Sequence, residues 1–171
     1  IQKDDQNRPT GTLKDRAVFP LHYQRFKRMN LNRRIRSRLV DFALKLFRRN
    51  GITSVQDNTW APPTVTHYQR LKRQDKLTCR ISCWSHGDIA WARFWLEHKH
   101  FDPIWVRKGP RKYFIDGTFS TRTAMLNEPY LGEPENFGLP TMKPEKLQAV
   151  ITMAVRHNRQ LACHAIGDGA I

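Results

Sequence analysis

A chain of 171 residues carrying 30 Lys and Arg against 15 Asp and Glu, a formal charge of +15, suits one domain. Its hydrophobic fraction of 39% and mean hydropathy of −0.66 place it on the polar side of globular chains, with a smaller core than its length allows. Nothing in it approaches the roughly 20 consecutive apolar residues of a membrane span, and three scattered cysteines, Cys79, Cys83 and Cys163, exclude a disulfide framework and zinc-ribbon spacing. All three read as core or near-core thiols in a reducing compartment, with the cytoplasm favoured.

In chain order, Leu13–Phe19 and Asn32–Asn50 read as helical, and Asn50-Gly51 closes the longer helix with a C-cap signal. Ile35, Leu39, Phe42, Ala43 and Leu46 recur at spacings of three and four, so the second helix is amphipathic, with those residues expected on its inner face. Much of the excess charge falls between Arg25 and Arg49, in ten basic residues. A nucleic-acid surface and a solvated basic face both fit that run. The second is preferred, because no zinc finger, basic zipper or RNA-recognition signature accompanies it.

Ile52–Val55 is a short β-branched run read as a strand, followed by the loop Gln56–Pro63. Val65–Gln74 reads as a helix, Leu77–Trp84 as a strand, and His86–His98 as a helix dense in aromatic residues. Asp102-Pro103 breaks the chain before Ile104–Lys108, and Gly109-Pro110 is expected to separate that run from a strand over Arg111–Ile115. Glu145–His157 is a helix on Leu147, Val150, Ile151 and Ala154, and Leu161–His164 is the last, buried strand. Strands alternating with helices, without tight hairpins, argue for an α/β fold with a parallel sheet and outer helices. The domain reading is a helical lead-in over 1–50 and four β/α units over 51–171.

Two stretches concentrate the chemistry. In Arg111–Tyr130 a β-prone run ends in Asp116-Gly117 and a Thr/Ser-rich loop, and it carries Lys112, followed by the aromatic residues Tyr113 and Phe114. A lysine turned into an interior must be neutralised, paired or chemically altered. At the other end, His164 stands at the carboxyl end of its strand, where α/β proteins place functional groups, and runs into Gly167, Asp168 and Gly169. Taken singly these residues have plainer readings: a snorkelling lysine, a hydrogen-bonded core histidine, an Asp168 that caps a turn, and an Asp116 that pairs with Arg122 to stiffen the loop. The remaining histidines show no ligand spacing.

The pattern Lys112-Tyr-Phe-Ile-Asp-Gly117, Arg122-Thr-Ala, Glu128-Pro-Tyr130 and His164-Ala-Ile-Gly-Asp168 resembles the metal-dependent hydrolases of amidohydrolase family 3, which include the N-substituted formamide deformylases. Pro9-Thr-Gly11, Gly51–Asp57 and Leu77–Arg80 extend the resemblance upstream in the family's order. It implies a (β/α)8 barrel with a small attached β-domain, of which this chain holds a part: about strands two to five, since a whole barrel takes about 250 residues. Asp57, Trp84, Lys112 or Asp116, and His164 then fall on the carboxyl-end rim.

The resemblance also implies a divalent metal, zinc by preference, as one or two ions, with Lys112 as a carbamate and His164 as an imidazole ligand. Lys112 and His164 are expected to converge, with Lys112 and Phe114 facing inward and Tyr113 outward. Asp116, Arg122 and Asp168 are substrate-binding or loop-structural, and the substrate is a small molecule with a non-peptide C–N amide-type bond. The paired His-x-His that the family carries at the end of its first strand, and the later histidine and aspartate that follow its strands six and eight, have no counterpart at those places in this piece, so the 171 residues are expected to be inactive by themselves and to associate through exposed sheet edges. The alternative is a basic, nucleic-acid-associated or catalytically silent barrel fragment.

Overall fold

The computed structural model describes residues 1–18, 20, 21, 24, 32–58, 62–87 and 100–171. The helix expected over His86–His98 lies outside these from residue 88 on, as do Phe19 and the basic positions Arg25, Lys27 and Arg28. Among the described residues, no helix is long and apolar enough to cross a membrane.

A 3-10 turn at Asp15–Val18 is followed by α1 (Arg33–Arg49), β1 (Ser54–Asp57), α2 (Pro62–Arg73), β2 (Arg80–His86), β3 (Val106–Phe114), α3 (Pro144–Arg156) and β4 (Leu161–His164). The four strands form one sheet in the order β1-β2-β3-β4. β1 pairs with β2 in parallel, Ser54 against Arg80 through Asp57 against Cys83, and β2 pairs in parallel with β3. Bonds from Arg111 N to the Gln160 carbonyl and from Ile115 N to the His164 carbonyl, 3.0 and 2.9 Å, run β4 along β3 in the same direction. This is the parallel, sequential strand order of a partial (β/α)8 barrel.

Two compact units divide the chain: Ile1–Phe26 with Phe114–Met153 and Cys163–Ile171, and Lys27–Tyr113 with Ala154–Ala162. The core of the second joins Val40 and Leu44 of α1, Val65 and Leu71 of α2, Leu77, and Cys79, Ile81, Cys83 and Val106 from β2, its approach and β3. Full burial of side chains such as Val65, Ile81 and Val106 contributes about 2 kcal/mol each.

Helix α1 begins where the Asn32 side chain accepts the N–H groups of Arg34 and Ile35 at 3.0 and 3.1 Å. It ends at Asn50, with Gly51 at φ +67° in the left-handed region. Its buried face is not the expected one. Val40 and Leu44 are buried and Phe47 partly so, whereas Ile35, Leu39, Phe42 and Leu46 are exposed. Two apolar stripes share this helix, and periodicity alone does not say which one meets the core.

Strand β3 corrects a second expectation, because it runs unbroken through Gly109-Pro110. Register with β2 slips there: Cys83 faces Lys108, then Ser85 faces Arg111, so Gly109 and Pro110 together oppose Trp84. A bulge tolerates a proline because its missing N–H falls where the ladder is interrupted. A Cβ at Gly109 would lie 2.5 Å from the Trp84 ring and 2.6 Å from Ser82 Oγ, so this close approach needs glycine. Strand β2 reaches His86, placing Trp84 inside it instead of at its end. The last strand keeps its expected bounds but is half-exposed, and Cys163 is exposed while Cys79 and Cys83 are buried. Among the described residues β4 is the outermost strand of the sheet, with no further strand paired to its outer edge.

Candidate functional site at the ends of β3 and β4

The loops after β3 and β4 are built around Asp116. Its side chain is 1% exposed, and its carboxylate accepts backbone N–H groups from Met125 at 2.9 Å, Ile166 at 3.1 Å and Gly167 at 2.8 Å. Three convergent N–H donors satisfy the buried carboxylate. Gly117 follows, its N–H bonded to the Thr123 carbonyl at 3.0 Å and its Cα pressed against the Thr123 side chain, where a Cβ would overlap it. Thr121 and Thr123 hydroxyls meet at 2.6 Å, and Thr118 N–H donates to Thr123 Oγ1 at 3.1 Å. The Thr/Ser-rich stretch thus closes on itself.

His164 lies against this loop. Its Nε2 is 2.8 Å from the Gly117 carbonyl, its ring is tilted on Phe114 at 5.1 Å between centroids, and Asp116 Oδ1 is 4.0 Å away. A carbonyl only accepts, so Nε2 carries the proton of that bond, and in the neutral ring the lone pair falls on Nδ1. Fixing one ring nitrogen on a backbone carbonyl is the support a metal-binding imidazole uses.

Arg122 does not pair with Asp116. It sits at φ +54° and its Nη1 bonds to Glu133 Oε1, while Asn136 Nδ2 reaches Glu133 Oε2 at 2.6 Å and the Arg122 carbonyl at 3.2 Å. These bonds, Asn136 first and Arg122 second, hold the Glu133 carboxyl below its ordinary value. Asp168 accepts the Asn127 backbone N–H at 3.1 Å and its side-chain amide at 3.2 Å. Met125, Asn127 and Glu133 carry these roles without any mark in the sequence, since each pairing depends on how the loops fold.

Lys112 lies in β3 within the other unit, half-buried between buried Tyr113 and half-buried Arg111. It stands in register with buried His86 of β2, a histidine to which the sequence reading gave no role. Tyr113 presses on Gly87, where a Cβ would overlap the phenol ring.

At the end of β1, Asp57 accepts the Tyr68 hydroxyl of α2 at 2.8 Å. Burial raises the Asp57 pKa, and the Tyr68 bond only partly opposes it. Burial first, then the Asp57 charge, raises the Tyr68 hydroxyl and the Cys83 thiol, so neither ionises near neutrality. A cavity of about 300 Å³ adjoins Asp57 and Tyr68, walled by Leu39, Leu44, Phe47 and Val55.

Among the described residues, no three His, Cys, Asp or Glu side chains gather to hold a metal ion. His164 fits a ligand by its fixed Nε2 and by an Nδ1 with no partner among the described residues, and it offers one donor of a set.

The model of the amidohydrolase family matches residues 1–171. The chain is 42% identical over 185 residues to Protein LONG AFTER FAR-RED 3 of Arabidopsis thaliana, covering 99% of this chain and 31% of that one. It is 35% identical over 74 residues to the putative amidohydrolase YtcJ of Bacillus subtilis, 43% of this chain and 14% of that protein. It therefore spans under a third of the length of these relatives.

Two uncharacterized metal-dependent hydrolases share its fold. The one from Pyrococcus furiosus has a TM-score of 0.72 at 23% identity, covering 99% of this chain and 36% of that one. The one from Pyrococcus horikoshii has a TM-score of 0.73 at 23% identity, over 98% and 34%. With the family model matched from first residue to last, the chain belongs to the amidohydrolase family.

Proposed function

We propose that the complete protein containing these residues is a metal-dependent hydrolase of C–N bonds in small non-peptide amides, N-substituted formamides among them, with Lys112 and His164 as metal ligands. The observation that carries this reading is the His164 ring, whose Nε2 is engaged by the Gly117 carbonyl at 2.8 Å and whose Nδ1 is left to bind. A divalent ion, zinc by preference, supplies an acidified water and polarises the scissile carbonyl when bound.

The chain's own residues do the rest. Lys112, in its uncharged form, would add through its nitrogen lone pair to CO2 and release a proton, and the carbamate so formed would offer oxygen donors to a divalent metal. Asp116 holds the loop after β4 to the end of β3 and so fixes the backbone on which His164 is carried. Arg122 and Asp168 act on the loops through Glu133 and Asn127. The edge positions of β1 and β4 support association through sheet edges.

Placing residues 1–171 in the corresponding segment of the Arabidopsis relative tests the reaction. The chimaera should hydrolyse members of a panel of N-acyl and N-formyl amines and lose turnover to a chelator. A folded, zinc-loaded chimaera inert on the whole panel would overturn the reading.

A further inference from the structure

We propose that His86 is a positioning residue for Lys112: a ring N–H of His86 donates to one oxygen of the carbamate that Lys112 would carry, and so sets the direction of that group. The inference rests on the reading of Lys112 as a carbamylated ligand and names the side chain that orients it.

Strand β2 alternates between the two faces of the sheet. Ile81 and Cys83 join the core with Val40, Leu44 and Val65, so His86, of the opposite parity, turns to the other face. His86 and Lys112 are Cα partners in the parallel ladder of β2 and β3. Such partners lie about 4.8 Å apart and project from the same face. The imidazole and the lysine stem therefore run side by side from the carboxyl-end regions of two adjacent strands. His86 is 2% exposed and its ring is enclosed, whereas Lys112 is only half-buried.

This rung is held from behind by the residues that follow each member of the pair. Gly87 donates its N–H to the Lys112 carbonyl at 2.8 Å. Buried Tyr113 packs so closely on Gly87 that a Cβ there would lie 2.1 Å from its ring. Neither His86 nor Lys112 can twist about its strand without breaking that backbone bond or driving Gly87 into the phenol. Rigid support of this kind is what a side chain of fixed direction requires.

The chemistry of the two groups is complementary. A carbamate is anionic and its oxygens accept, while the flexible four-carbon stem lets it turn toward the neighbouring ring. An imidazole N–H donating to one oxygen makes a charge-assisted bond and leaves the other oxygen for a metal. His86 thus acts through Lys112 and touches neither metal nor substrate.

The test uses the zinc-loaded chimaera that carries this segment within the Arabidopsis relative, supplied with isotope-labelled bicarbonate. Carbon NMR should show a carbamate signal that Lys112→Ala removes. His86→Phe keeps a buried ring without an N–H, and should lower that signal at least about tenfold. His86→Gln keeps an N–H donor and should restore most of it. A full signal in His86→Phe would overturn this proposal alone. A native chimaera without the signal, or a signal that survives Lys112→Ala, would overturn the reading of Lys112 and this inference with it. Should His86→Phe fail to fold, the ring nitrogens of His86 decide: they should shift between bicarbonate-fed and CO2-depleted native samples and stay unmoved in Lys112→Ala. Unmoved nitrogens in the native protein would sink the proposal.

Discussion

The carboxylate of Asp116, two residues beyond β3, accepts the backbone N–H of Gly167, three residues beyond β4, at 2.8 Å. One buried charge thereby ties together the two loops that carry the motif residues. Replacing it with alanine leaves the N–H groups of Met125, Ile166 and Gly167 without an acceptor inside the protein. Asp116→Ala should lower stability by about 3 kcal/mol or more, and Asp116→Asn, which keeps one acceptor oxygen, by less. Urea titration of the three proteins measures the order; an alanine variant as stable as the native chain would contradict it.

Gly167 is fixed by contact as well as by that bond. A Cβ at this position would run into the backbone of Met125, which cannot swing aside as a side-chain tip would. Gly167→Ala should destabilise by about 2 kcal/mol or more. Gly132→Ala is the comparison: it meets nothing within 4 Å, and its cost comes only from φ +78°. A larger loss at Gly132 than at Gly167 would refute the packing argument.

Asp57 makes a pH prediction of definite sign. Burial raises its pKa above the ordinary 3.8, so the folded state holds this proton more tightly than the unfolded chain does. Its contribution is therefore favourable at low pH and is lost as pH rises from 3.8 through the raised value. Asp57→Asn keeps an acceptor for Tyr68 and removes the ionisation. The variant should gain on the native chain as pH rises from 3.8 through the raised value, read in paired denaturation curves. A relative loss over that interval would show that the ionised form is the one the fold prefers.

By itself the 171-residue chain should show no amide hydrolysis with added zinc, because the described residues hold no gathered ligand set. Turnover by the purified chain that a chelator removes would disprove this. Binding of zinc without turnover would not, since scattered imidazoles bind metal.

How much of this was legible in the sequence depended on distance along the chain. Leu161–His164 is bounded as expected, and β1 and β2 are displaced by two or three residues, because a short apolar run next to polar residues is a local signal. The Asn50-Gly51 stop on α1 is equally local. The face of α1 was not legible: Phe42 fits the periodicity as well as Leu44, and only contact with Val65, Ile81 and their neighbours selects the buried stripe. Nor was the passage of β3 through Gly109-Pro110, which depends on a bulge opposite Trp84. Asp116, Arg122, His164 and Asp168 stood out by motif. Their partners Gly117, Met125, Asn127, Glu133 and Gly167 come from the folded loops, and the Asp57–Tyr68 bond likewise joins a strand end to a helix.

The assignment of Lys112 and His164 as metal ligands is tested most directly by kcat/KM and bound zinc, measured together, in the chimaera that carries this segment within the Arabidopsis relative. Lys112→Ala and His164→Ala should each lower bound zinc and cut kcat/KM by at least about a hundredfold. Lys112→Arg should not rescue it, because a guanidinium stays charged and forms no carbamate. Full zinc content and undiminished turnover in either alanine variant would contradict the assignment.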